Sequence, residues 1–129
     1  MIPRIVKAAG VQRMDYEKVC RKVMDLDPKI RFVGMVNEKG RLVAGGMRQG
    51  LKSLEETRDG EMLYMELVLR AKMRRDFDKV LGPVQFALSY REKVIIMSFP
   101  TDDNVLLLSA EKGANFAEMP FEVLKILAH

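Results

Sequence analysis

The 129-residue sequence has no tryptophan, one cysteine and one histidine. With Cys20 alone, no internal disulfide can form. Cys20 falls inside a helical pattern, where a buried spectator thiol is expected. His129 is the last residue, far from Cys20, and a Cys/His zinc site needs more ligands than these two supply. No apolar run approaches the roughly 20 residues that span a bilayer. The opening MIPRIVKAAG returns to charge too soon for a secretory signal. These absences lead us to expect a cytoplasmic chain with no membrane span. There is no internal repeat and no linker rich in Gly, Pro or Ser, so one domain over residues 1–129 is expected. A chain of this size can bury a core without staples.

The chain carries 48% hydrophobic and 31% charged residues, which marks it as globular rather than disordered. The net charge of +4 permits an acidic partner but does not demand nucleic acid. The stretch GGMRQGLKS, Gly45 to Ser53, looks at first like a phosphate loop. The loop requires G-x-x-x-x-G-K-[ST], and here Leu51 stands between Gly50 and Lys52-Ser53. A one-residue slip redirects the lysine and hydroxyl that must converge on one triphosphate. The preceding apolar run also reads as the second arm of a hairpin, not the first strand of a parallel unit. A flexible connector is the reading left, with Arg48 and Lys52 free to meet an anion.

The elements follow from pattern. Asp15 suits an N-cap, and Tyr16, Val19, Cys20, Val23 and Leu26 line one helical face. Pro28 ends that helix. Ile30 to Val36 and Leu42 to Met47 form a hairpin around the turn NEKG, with Gly40 suited to positive φ. One short turn of helix is expected near SLEET. Asp59 then caps a long helix running to Gly82-Pro83, with Met62, Met65, Leu69, Met73, Phe77 and Val80 as its stripe. Val84, Phe86, Leu88 and Tyr90 alternate as a strand. VIIMSF reads as an interior strand ended by Pro100, and VLLLSA as the next. Pro120 suits the first turn of a last helix.

The long helix has more apolar surface than one stripe needs. In MLYMELVLRA, Leu63, Tyr64, Leu67 and Val68 extend the apolar girth beyond Met62, Met65 and Leu69. Something should cover its second side, either the rest of the domain or a second chain. Its later half, RAKMRRDFDK, is the densest basic run. A solvated face or an acidic protein partner fits it better than nucleic acid, because no aromatics interleave with the charge.

Candidate catalytic groups are scarce. No G-x-S-x-G is present, and general acid–base work would fall to Asp, Glu, Lys or Tyr with none singled out. Asp102-Asp103 read as turn formers. The ten methionines show no copper-site pattern with His or Cys, and Met62 and Met65 fit the stripe. We therefore expect no enzyme, and name no catalytic, metal-binding or cofactor-binding residue.

The element order, with DLDPKIRFVGMVNEKGRLVAGG leading into it, resembles the roadblock/LC7 family of small profilin-like domains. An archaeal family of the same layout fits as well. The hairpin part is filled by Phe32 to Val36, Asn37 to Gly40 and Leu42 to Gly45. The resemblance implies an α/β (α+β) fold with a five-stranded antiparallel sheet in the order 2-1-5-4-3. It places one long helix on one face and the N- and C-terminal helices on the other. It implies homodimerisation through Met62, Tyr64, Met65, Val68 and Leu69 of the long helix and an edge strand carrying Val84, Phe86 and Leu88. It also implies a scaffold or regulator of a small GTPase. The basic run in the second half of the long helix, in which the chain departs from the family, supplies Arg70, Arg74 and Arg75 as candidate partner contacts. A small-molecule-sensing domain of profilin- or PAS-like architecture, with its pocket between sheet and helix, is the alternative.

Overall fold

A computed structural model describes residues 15–55 and 57–128. Helix α1 (Tyr16–Met24) opens on Asp15, whose carboxylate accepts from the Lys18 backbone N–H at 3.2 Å. This satisfies one of the donors a helix start leaves orphaned. Strands β1 (Ile30–Val36) and β2 (Leu42–Met47) form the expected hairpin. Asn37 holds the turn, its side-chain oxygen accepting from the N–H groups of Lys39 and Arg41, each at 3.0 Å. Gly40 takes φ +78°, a conformation that costs glycine little.

Helix α2 (Thr57–Arg74) starts two residues before the expected cap, so Asp59 lies within its first turn. There a carboxylate still complements the positive helix end. Bends at Leu54 and Glu55 replace the helical turn expected near SLEET. The long helix is also broken. After Arg74 comes a 3-10 turn (Arg75–Phe77), then α3 (Asp78–Leu81), which ends at Gly82 with φ +83°.

The sheet continues with β3 (Ala87–Tyr90), β4 (Ile95–Thr101) and β5 (Asn104–Ala110), and α4 (Met119–Leu127) closes the chain with Pro120 in its first turn. The strand order is β2-β1-β5-β4-β3, and every pairing is antiparallel. β3 is shorter than expected: Val84, Gln85 and Phe86 precede the ladder, which pairs only residues 87–90 with β4. Pro100 does not end β4 but lies inside it, opposite Val105. The ladder to β3 stops at Ser98, so Pro100's missing donor breaks no bond on that side.

The sheet is covered on both sides. Cys20 and Val23 of α1 and Met119 and Val123 of α4 pack with Ile95, Met97 and Phe99 on one face. Leu67, Val68 and Ala71 of α2 pack with Val36, Val105 and Leu107 on the other. No helix among the described residues is long and apolar enough to cross a membrane.

Candidate functional site

The faces of α2 are set by which side chains the sheet accepts. Leu67, Val68 and Ala71 are buried, and Tyr64 stacks on Phe32 with ring centroids 6.0 Å apart. At 100° per residue, Met62, Leu69 and Met73 stand opposite that set. The stripe expected to line the core therefore points outward. Met62 is 60% exposed and Leu69 49%, whereas Val68 is 2% exposed. Past the break in the helix, Phe77 is also exposed, as are Val80 and Leu81 of α3 at 83% and 78%. Among the described residues, six large apolar side chains from α2 to α3 are thus exposed, three of them on one face of α2.

The residues singled out from sequence do not all reach this surface. Met62 and Leu69 do. Met65 sits at its margin, packed over Gly40 so closely that a methyl group on Gly40 would lie 2.8 Å from its Cε. Val68 belongs to the subunit's own core and Tyr64 is half-buried on the sheet side, which corrects their expected outward placement. Phe86 and Leu88 also face inward. Phe86 lies 5.4 Å from Phe121 and 6.0 Å from Phe99, ring to ring, and Leu88 packs into the α1/α4 core. Val84 is partly buried and outside the strand. What β3 leaves open is its backbone edge.

The two sheet edges differ. At β2, Gly45 takes φ +84°, and its N–H is bonded to the Glu17 carboxylate of α1 at 3.2 Å. A Cβ at Gly45 would run into the Val33 carbonyl oxygen. That edge is twisted and partly filled. The outer side of β3 has no strand partner among the described residues. An unpaired edge is a template for another chain.

The basic residues divide as well. Arg70 donates to Glu66 at 3.3 Å across one helical turn, an exposed pair worth little by itself. The Arg75 guanidinium donates to the Asp102 carbonyl at 2.6 Å, tying the break in the helix to the β4–β5 turn. Asp102 there has φ +47°. Arg74 is partly buried beside them. Arg48 is no free anion contact. Its guanidinium donates to the carbonyls of Ile30 at 2.7 Å and of Met24 and Asp27 at 2.8 Å each, closing the C-terminal end of α1. Sequence spacing gave no sign of this, because the three acceptors are backbone groups. The phosphate-loop pattern is also dispersed: Gly45 and Gly46 lie in β2, and no helix follows Lys52-Ser53 until Thr57.

Between the N-terminal half of α2 and the sheet runs a groove of about 770 Å3. Phe32, Ile96 and Leu107 contribute from the sheet, Leu63, Tyr64 and Leu67 from α2, and Arg31, Lys39 and Arg41 from β1 and the hairpin. Burial, with the nearby carboxylates of Glu55 and Glu61, raises the Tyr64 hydroxyl above its ordinary pKa. Burial and the Glu17 carboxylate push the Cys20 thiol up to about 11, so it stays neutral and unreactive at ordinary pH. No group of three or more His, Cys, Asp or Glu among the described residues is arranged to hold a metal.

Several solved structures share this architecture. A roadblock/LC7 domain from Streptomyces avermitilis superposes with a TM-score of 0.66 at 11% identity, covering 89% of this chain and 93% of that one. The gliding protein MglB from Thermus thermophilus gives 0.68 at 14% identity over 92% and 91%. MglB in a tetrameric arrangement gives 0.68 at 15% identity over 92% and 90%. At such identities the likeness shows the fold, which is roadblock/LC7-like. No curated protein matches the chain by sequence. A family model does: it matches residues 9–129, and the chain belongs to the family of unknown function DUF6659.

Proposed function

We propose that this chain is a non-enzymatic homodimeric interaction module that scaffolds or regulates a protein partner, with a small GTPase as the partner class. The observation that carries the reading is the exposure of Met62, Leu69, Met73, Phe77, Val80 and Leu81, which the described residues leave open. Met62, Leu69 and Met73 share one face of α2, and a monomer rarely keeps a large apolar surface without a use for it. A second copy suits it, because the chain passes from α2 through α3 directly into β3, whose outer edge has no strand partner among the described residues. A two-fold axis there would pair both features at once with the same surface on each subunit. The tetrameric arrangement of MglB, a protein of the same fold, supports self-association as the use.

The partner contacts fall on the basic half of α2, where Arg70, Lys72 and Arg74 leave a surface suited to an acidic protein. Arg75 contributes its charge there while its guanidinium stays on Asp102. Support for a GTPase comes from the family resemblance and from the shared fold with a gliding protein. Light scattering on the eluting protein tests the first part, with a dimer expected and a monomer at high micromolar concentration against it. Capture by the immobilised chain from the host proteome tests the second. A GTPase lost with Arg70→Glu and Arg74→Glu is expected; capture indifferent to those charges removes the assignment.

A further inference from the structure

The geometry points to the groove under α2 as a binding site for a small apolar-tailed monoanion, such as a long-chain carboxylate. The inference is independent of the dimer, since the groove lies on the sheet side of α2 and the open stripe on its back. Three observations carry it. The first is size and lining: about 770 Å3 over a floor of Phe32, Ile96 and Leu107, within the range of small-molecule sites and apolar in the middle. Phe32 and Ile96 are only partly buried by the subunit, so this floor has apolar surface left to cover.

The second is shape. The groove's lining reaches from Arg31 and Phe32 at the start of β1 to Lys39, Gly40, Arg41 and Leu42 at the hairpin beyond that strand's end. A seven-residue strand spans roughly 20 Å, room for an extended chain but more than a compact metabolite needs. The third is charge. Among the described residues, Arg31, Lys39 and Arg41 line it against the carboxylates of Glu55 and Glu61, three positive charges to two negative. None of the three cations is in an ion pair among the described residues. Arg31 is engaged at one end, donating to the Lys52 carbonyl at 3.1 Å. Lys39 and Arg41 flank Gly40 at the other end and would hold the head group, with the tail over Phe32 and Ile96. Among these described side chains the excess is a single positive charge, so a monoanion fits and a dianion would meet the two glutamates.

Isothermal titration with dodecanoate, dodecanol and dodecyl phosphate tests this. Dodecanoate should bind more tightly than the other two. Affinity across shorter and longer carboxylates should rise by up to about fourfold per methylene until the groove is full. The double variant Lys39→Gln, Arg41→Gln should weaken dodecanoate at least tenfold and leave dodecanol unchanged. Both side chains are exposed, and circular dichroism will show the fold retained. No binding of dodecanoate, affinity flat in chain length, or dodecyl phosphate binding as well as the carboxylate would each overturn the proposal. The same titration on Leu69→Glu keeps it separate from the dimer: the groove should bind as before even if that variant is monomeric.

Discussion

Leu69→Glu is the sharpest test of the exposed α2 face. Leu69 is about half exposed in the subunit, and its neighbours Met62 and Met73 are more so. Fully burying a leucine is worth about 1.5–3 kcal/mol, so covering the exposed half contributes about 1 kcal/mol per subunit. A two-fold interface counts the change twice, which makes about 2 kcal/mol of lost contact per dimer, or roughly 30-fold in the dissociation constant. Each carboxylate must also be desolvated, so the total loss exceeds that figure. The subunit should survive, because the substituted side chain meets water. Val68→Glu, one position earlier, is the control. At 2% exposure it should unfold the chain rather than split a dimer. The assay is light scattering across a concentration series, with circular dichroism on both variants. A Leu69→Glu protein that dimerises as tightly as the parent would refute the placement of the interface. A Val68→Glu protein that folds normally would refute the assignment of the two faces of α2.

Other substitutions probe the frame that holds these surfaces. Arg48→Met keeps the stem but takes a donor from the carbonyls of Met24, Asp27 and Ile30, of which Asp27 keeps the Ile30 N–H; the expected cost is about 2–4 kcal/mol, seen as a fall in Tm of roughly 10 °C. Gly40→Ala forces positive φ on a residue with a Cβ and drives that atom toward Met65, so urea unfolding should show a loss of about 1–3 kcal/mol. Cys20 makes stability depend on alkaline pH. Its folded pKa is raised from 9.0 to about 11, so the unfolded chain gives up the proton first. The stabilisation is fully present below pH 9 and lost as pH rises to about 11, by up to about 3 kcal/mol. Cys20→Ala should flatten that limb of the urea-midpoint profile, and a thiol reagent at pH 8 should label the parent only as it unfolds.

The hairpin, the order of elements and both terminal helices are legible because each rests on local chemistry. Asp15 caps, Asn37 and Gly40 turn, and Pro120 starts a helix, whatever lies across the sheet. The inner face of α2 is not legible in the same way. Met62, Leu69 and Met73 are as apolar as Leu67, Val68 and Ala71, and a helix greasy on two sides gives periodicity no preference. What decides is the available floor: Val36, Val105 and Leu107 take the smaller residues Val68 and Ala71 at close approach and leave the methionines outside. Pro100 misleads for a related reason, since proline's harm to a strand depends on whether a neighbour needs its N–H, and β3 ends before reaching it. The helix break at Arg75 and the clamp by Arg48 both rest on side chains reaching carbonyls far away in sequence. The same logic explains why the surfaces that bear on function sit on α2. A helix whose two sides are both apolar can satisfy only one against its own sheet, and the side left over needs a cover other than that sheet or remains a standing cost in water.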